Sequence, residues 1–346
     1  MKKKFAAILL TGIMALSLAA CGGSSAPASS EKTDAEAKTE ESTDASADAG
    51  KGYSIDVILK TTSSEYWGYV LAGAKAYNKD HPEIKVEVKG ATSETAYDEQ
   101  QNMIETDLNS GAYDGFVIAP LQADLVSTLI AGKTAPIVAV DTNIDAPEVL
   151  SFVGTSNEDA AKMGGQAAVE AAKAAGWTDI KAISISGVQG DGTATARLTG
   201  YKAGVTEAGG EFLENEIQYA DAVADKAVTC MEAVMQNHPE GIAIICANND
   251  DMAMAAARAA KGNDAYKNTI FVGFDGIQSA CTAILNGDET MSVAQEAYDM
   301  GYKAVDAVVR ALNGETLDKF IDSGCSVVTS ENAQERLDQL KGYLGE

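Results

Sequence analysis

Two apolar runs far apart in the chain each stop at an aspartate: Ile137-Val138-Ala139-Val140-Asp141 and Ile270-Phe271-Val272-Gly273-Phe274-Asp275. A short, continuous apolar run reads as a strand buried on both faces, the signature of a parallel sheet. Open parallel sheets bind ligands at the carboxyl ends of their strands, where both aspartates fall. The alternative for either residue alone is a simple cap on the following helix. The two runs read as equivalent parts of two similar lobes that face one cleft.

The rest of the chain keeps this rhythm. Strands are expected at 53–60, 84–88, 114–120, 136–141 and 150–154, with helices at 66–78, 94–108 and 121–131. A second round has strands at 180–186, 211–219, 241–246, 269–275, 291–295 and 326–329, and helices from 157 to about 175 and at 194–208, 222–236, 250–260, 277–285, 298–312 and 331–343. Alternation of this kind means parallel sheets with helices on both faces. So many strands exceed one ordinary sheet, so the fold class is α/β with two Rossmann-like lobes.

The amino end is an address. Lys2, Lys3 and Lys4 precede an apolar core from Phe5 to Leu18, too short to span a bilayer as a folded helix, so residues 1–20 read as a secretory signal. Leu18-Ala19-Ala20-Cys21-Gly22 resembles the bacterial lipobox, which makes Cys21 the expected lipidation site. Residues 21–51 are acidic and polar, without apolar periodicity, and form a disordered tether. A lipid and a tether imply an exported body held through its anchor at the outer face of the cytoplasmic membrane. Tethers of this length resemble those of Gram-positive bacteria.

Charge and rare residues narrow the function. A formal net charge of −25 argues against nucleic acid or anionic lipid as a partner. His81 and His238 both precede a proline at a helix end, so no imidazole cluster is available for a metal or for catalysis. The widely spaced Cys230, Cys246, Cys281 and Cys325 read as buried free thiols, with disulfides the alternative in an exported protein. Gly187 to Gly192 opens a helix but lacks the spacing of a nucleotide loop, and no cofactor is implied.

The loops after the strands hold the candidate site: Lys60, Ser64, Tyr66, Trp67, Asp141, Thr142, Arg197, Asn249, Asp275 and Gln295. Carboxylates, amides and a guanidinium fork suit the vicinal hydroxyls of a polyhydroxylated ligand. Tyr66 and Trp67 either stack on the C–H face of a sugar ring or staple the helix start. Lys60 and Arg197 offset Asp141 and Asp275, so the expected ligand is a neutral sugar or polyol. No activated nucleophile accompanies this set. General acid–base work would need a carboxyl with a shifted pKa, and the sequence marks none, so an enzyme is not expected.

With these residues in place the chain resembles the type I periplasmic sugar-binding proteins, the ribose/allose/galactose group that serves ABC transporters. Val57-Ile58-Leu59-Lys60-Thr61 with Tyr66-Trp67 is similar to the allose-type first loop. Phe116 to Pro120, Val138 to Asp141, Arg197-Leu198-Thr199-Gly200-Tyr201, Asn249 to Ala253, Val272 to Gly276 and Val293-Ala294-Gln295 are similar to later family elements. The resemblance implies that Asp141, Arg197, Asn249, Asp275 and Gln295 hydrogen-bond sugar hydroxyls, while Lys60, Tyr66 and Trp67 close the other side. It also implies an N-terminal lobe of residues 52–155 plus 296–325 and a C-terminal lobe of 156–295 plus 326–346, joined by a three-strand hinge near Gly154, Gln295 and Gly324. Ligand would favour the closed form, which an ABC permease reads.

The chain departs from the family at Asp221-Ala222-Val223, where an aromatic is usual, at Thr142, where ribose binders carry Arg, and at Ser64, where Asn is usual. The expectation is a monomeric solute-binding lipoprotein delivering a sugar to an importer. A receptor subunit that feeds a sugar or autoinducer signal to a sensor or chemotaxis pathway is the alternative.

Overall fold

The computed structural model describes residues 52–346, so the expected signal segment, Cys21 and the tether lie outside the described residues. The chain runs β1 (Ser54–Thr61), α1 (Glu65–Asp80), β2 (Lys85–Ala91), α2 (Tyr97–Ser110), β3 (Gly115–Ile118), α3 (Ala123–Ile130), β4 (Ile137–Val140) and β5 (Val149–Gly154). It continues through α4 (Asn157–Ala174), β6 (Lys181–Ser186), α5 (Gly192–Glu207), β7 (Glu211–Phe212), β8 (Gln218–Tyr219), α6 (Ala224–Asn237), β9 (Ile244–Ala247), α7 (Asp250–Ala260) and β10 (Ile270–Asp275). α8 (Gln278–Asn286), β11 (Met291–Gln295), α9 (Ala297–Leu312), β12 (Phe320–Asp322), β13 (Cys325–Val328) and α10 (Ala333–Leu344) complete it.

These strands form two sheets, as the alternation predicts. The first has the order β12-β5-β4-β3-β1-β2 and is parallel throughout. The second has the order β13-β11-β10-β9-β6-β7, with β8 also on β6, and only β13 runs antiparallel. The apolar runs are the central strands: Val138, Ala139, Val140, Val272 and Phe274 are all fully buried. The chain passes between the sheets after β5, after β11 and after β12. At these passages Ser323 N–H donates to Gly154 C=O (2.8 Å), and Arg336 holds the Gln295 carbonyl and the Glu296 carboxylate.

Each sheet is backed by helices drawn together at glycines. A Cβ on Gly73 of α1 would collide with the Tyr298 carbonyl of α9, and one on Gly301 of α9 with the Val70 carbonyl of α1. Gly200 and Gly204 of α5 meet the backbone of α4 in the same way. Two elements depart from the expectation. The strand expected at 211–219 is two short pairings to opposite ends of β6, interrupted by a 3₁₀ turn over Glu214–Glu216, where exposed acids and an asparagine disfavour the ladder. β12 was not expected; three residues carry too little periodicity to read.

Among the described residues no helix is long and apolar enough to cross a membrane. Cys230, Cys246, Cys281 and Cys325 are free thiols, the middle two buried.

Candidate functional site

The carboxyl ends of both sheets open on one cavity of about 230 Å³. It is smaller than the roughly 300–1,000 Å³ of drug-sized sites, a scale suited to a single small solute. Lys60, Ser64, Tyr66, Trp67 and Asp141 line it from the first sheet, and Arg197, Asn249, Asp275 and Gln295 from the second.

Both aspartates sit in strained backbone. Asp141 has φ +62°, inside a three-residue turn closed by Thr142 N–H to Val140 C=O at 2.6 Å. Asp275 has φ +121°, followed by Gly276 at +67°. Non-glycine residues at positive φ cost on the order of 1–3 kcal/mol and concentrate at functional positions. Here the reversals fall at the tips of β4 and β10, where carboxylates meet the cavity.

On the first wall Tyr66 O–H donates to Asp141 Oδ1 at 2.7 Å, Thr142 O–H donates to Oδ2 at 2.8 Å, and Lys60 Nζ lies 3.7 Å from Oδ2. Burial lifts the Tyr66 phenol well above its ordinary range, and Asp141 adds to the shift, so Tyr66 stays a proton donor. Asp275 and Arg197 of the opposite wall also act on Tyr66, which places the two walls within electrostatic reach. Trp67 is only 2% exposed, packs edge-on to Tyr66 with ring centroids 5.2 Å apart, and donates its indole N–H to Glu94 at 2.8 Å. The pair therefore both staples the start of α1 and faces the cavity. Ser64 caps α1, accepting from Trp67 N–H at 3.4 Å.

On the second wall Gln295 donates to Asp275 Oδ1 at 2.8 Å, and Arg197 Nη1 lies 3.7 Å from the same oxygen. Burial pushes the Asp275 carboxyl well up; Arg197 and Gln295 oppose the shift. Arg197 is 6% exposed and stacks on Phe274 at 3.8 Å. It donates to Asn157 Oδ1 and to the Asn248 carbonyl, both at 2.8 Å. Asn249 caps α7, accepting from Met252 N–H at 3.0 Å, which leaves its amide N–H₂ as a donor. Asn248 Oδ1 is buried and accepts no hydrogen bond from the described residues.

Thr142 is the exception among the candidates. It does not line the cavity, because the turn at Asp141 carries it behind the carboxylate, which it orients. Several lining residues were not among the candidates: Glu65, Glu94, Tyr97, Asp191 and Asp251. α2 starts at Tyr97 rather than at 94, so Glu94 belongs to a polar loop after β2, a carboxyl-edge position that could have flagged it. These acids correct the expected charge balance. Lys60 and Arg197 face six carboxylates in the cavity wall, not two, so the wall is acidic and opposes an anion. Burial, and next Glu65, raise the Asp251 carboxyl. Asp250 points away from the cavity, accepting from Ser292 O–H and Ile277 N–H and fixing the turn after Asp275. Among the described residues no group of three or more His, Cys, Asp or Glu is arranged to hold a metal.

Fold and site together define an α/β protein of two parallel sheets that traps a small polar solute at the facing strand tips. The periplasmic binding protein domain family matches residues 55–316, and the chain belongs to it. It is 27% identical over 291 residues to the D-ribose/D-allose-binding protein of Pseudomonas aeruginosa, covering 80% of this chain and 88% of that one. It is 30% identical over 251 residues to the D-apiose import binding protein of Paraburkholderia graminis, covering 68% and 74%. A carbohydrate-transporter solute-binding protein of Agrobacterium radiobacter, solved with D-arabinose, superposes with a TM-score of 0.74 at 26% identity, covering 83% of this chain and 98% of that one.

Proposed function

We propose that this protein captures a neutral monosaccharide or polyol between two closing lobes and delivers it to an ABC importer. The observation that carries the reading is the single cavity lined by Asp141 on one sheet and Asp275 on the other, each with donors already arranged around it. In this reading the carboxylates, Arg197, Asn249 and Gln295 exchange hydrogen bonds with hydroxyls, Lys60 and Tyr66 complete the first wall, and Trp67 covers an apolar ring face. The acidic wall supports an uncharged ligand over a sugar phosphate or uronate. The relatives' names, which refer to ribose, allose and apiose, support the same class.

The lobes of this reading are 52–155 plus 296–325 and 156–295 plus the tail, and the three passages between sheets act as the hinge. A solute that touches both lobes only when they close selects the closed form by differential affinity. We further infer that Cys21 anchors the exported protein through lipid, with residues 21–51 as tether, on the lipobox-like sequence alone. No catalytic role is assigned to any wall residue.

A thermal-shift screen tests the ligand class. A true ligand at about 100 times its Kd adds roughly 2.7 kcal/mol of stability. At least one of D-ribose, D-allose, D-arabinose, D-apiose and myo-inositol is expected to raise the melting point. A screen in which only phosphorylated or uronic sugars do so overturns the reading.

A further inference from the structure

α8 begins without a cap of its own. Ile277, at its N-cap, has no side-chain oxygen, so the first N–H groups of the helix need acceptors from elsewhere. Two of them come from α1, which stands on the other sheet. Ser279 N–H donates to Glu65 Oε1 at 3.1 Å and its hydroxyl to Oε2 at 2.8 Å. Gln278 N–H reaches Tyr69 Oη at 3.4 Å, and the Tyr69 hydroxyl donates to Glu65 Oε1 at 2.9 Å. A carboxylate at the positive end of a helix dipole gains charge stabilisation beyond the hydrogen bonds themselves.

The connection spans 214 residues of sequence and joins the two walls of the cavity. Glu65 immediately precedes Tyr66 and Trp67, and Ser279 follows Asp275 by four residues. Both Glu65 oxygens are taken by these three donors, although the residue stands at the cavity edge. We propose that Glu65 is a positioning residue for capture: by capping α8 across the cleft, with Tyr69 as its brace, it latches the closed form and slows release of the solute. The inference rests on the reading that the two lobes close on a sugar. Opening would strip the cap and return the Gln278 and Ser279 N–H groups to water, and that loss opposes release whatever the sugar's own contacts are.

The test uses Glu65→Ala and Ser279→Ala in the full exported body, with Tyr69→Phe as a third variant in case Glu65→Ala fails to fold. Stopped-flow dilution, followed by tryptophan fluorescence, measures association and release of D-allose, or of whichever sugar in the panel above shifts the wild type. The cap's hydrogen bonds are made to a charged group and are lost on opening, so release is expected to accelerate roughly 10- to 150-fold in Glu65→Ala. Association should change less than about threefold, because affinity differences within one site fall mainly on release. Small-angle scattering of the unliganded variants is expected to show a larger radius of gyration than wild type. Release within twofold of wild type in both Glu65→Ala and Ser279→Ala overturns the latch, even if the melting point falls, because a cap with a purely structural role would lower stability without changing release. If no sugar binds the wild type, the capture reading fails, and the scattering alone then decides: an unchanged radius in both variants overturns the latch.

Discussion

Replacing Asp275 with Asn separates the binding role of the carboxylate from its structural cost. The side chain stands at the tip of β10 with Gln295 at 2.8 Å and Arg197 at 3.7 Å. Burial raises its pKa well above the ordinary carboxylate value, opposed by those two partners. An acid whose folded pKa is raised binds more protons folded than unfolded, so its contribution to stability is fully present below the unfolded pKa of 3.8 and is lost as pH rises toward the folded value. Asn removes that loss, while Arg197 keeps the Asn248 carbonyl and Asn157. The unliganded Asp275→Asn variant is therefore expected to melt at or above wild type at pH 7.5, with the difference vanishing near pH 4. Its affinity moves the other way. Losing a charged acceptor for sugar hydroxyls costs about 1.5–3 kcal/mol, or roughly 10- to 150-fold in Kd. Calorimetric titration and melts at the two pH values measure both effects. A Kd within threefold of wild type, or a melting point several degrees lower at pH 7.5, refutes the reasoning.

Arg197→Ala is expected to damage the fold as well as binding, by about 1–3 kcal/mol, because it leaves the Asn248 carbonyl and Asn157 Oδ1 without their donor; urea unfolding without sugar measures this. Gly301→Ala should cost about 1–3 kcal/mol in the same assay, since its methyl meets the Val70 carbonyl and forces α1 and α9 apart. Asp250, pushed up to about 6 chiefly by burial, makes stability fall between pH 4 and 6, by roughly 3 kcal/mol for a shift of about two pKa units. Urea unfolding at intervals across that range should show a shallower fall in Asp250→Asn than in wild type.

Much of the site could be read from local pattern because strand ends are local features. An apolar run that stops at Asp141 or Asp275 puts each carboxylate at a sheet edge, and the loops after the other strands supply Lys60, Arg197, Asn249 and Gln295. Thr142 adjoins Asp141 in sequence but turns behind it, because the positive φ at Asp141 reverses the chain. Glu65 falls in the short stretch between the strand expected at 53–60 and the helix expected at 66–78, and nothing local marks it, since its partner Ser279 lies in another sheet's helix and no spacing links them. The acidity of the cavity was only partly legible: Glu94 lies in a polar loop at a carboxyl edge, whereas Asp251 lies inside the first turn of α7 and joins the wall only once the two sheets face each other. Strand boundaries failed at β7 and β8, where pairing to β6 is discontinuous, and β12 is a continuous pairing too short to leave a pattern.

The most direct measurement is a crystal structure with a neutral sugar that stabilises the protein in solution. The expected result is one sugar ring in the cavity, with hydroxyl oxygens within about 3.2 Å of both Asp141 and Asp275. A sugar bound to one wall only, or bound outside the cavity, would contradict capture between two lobes.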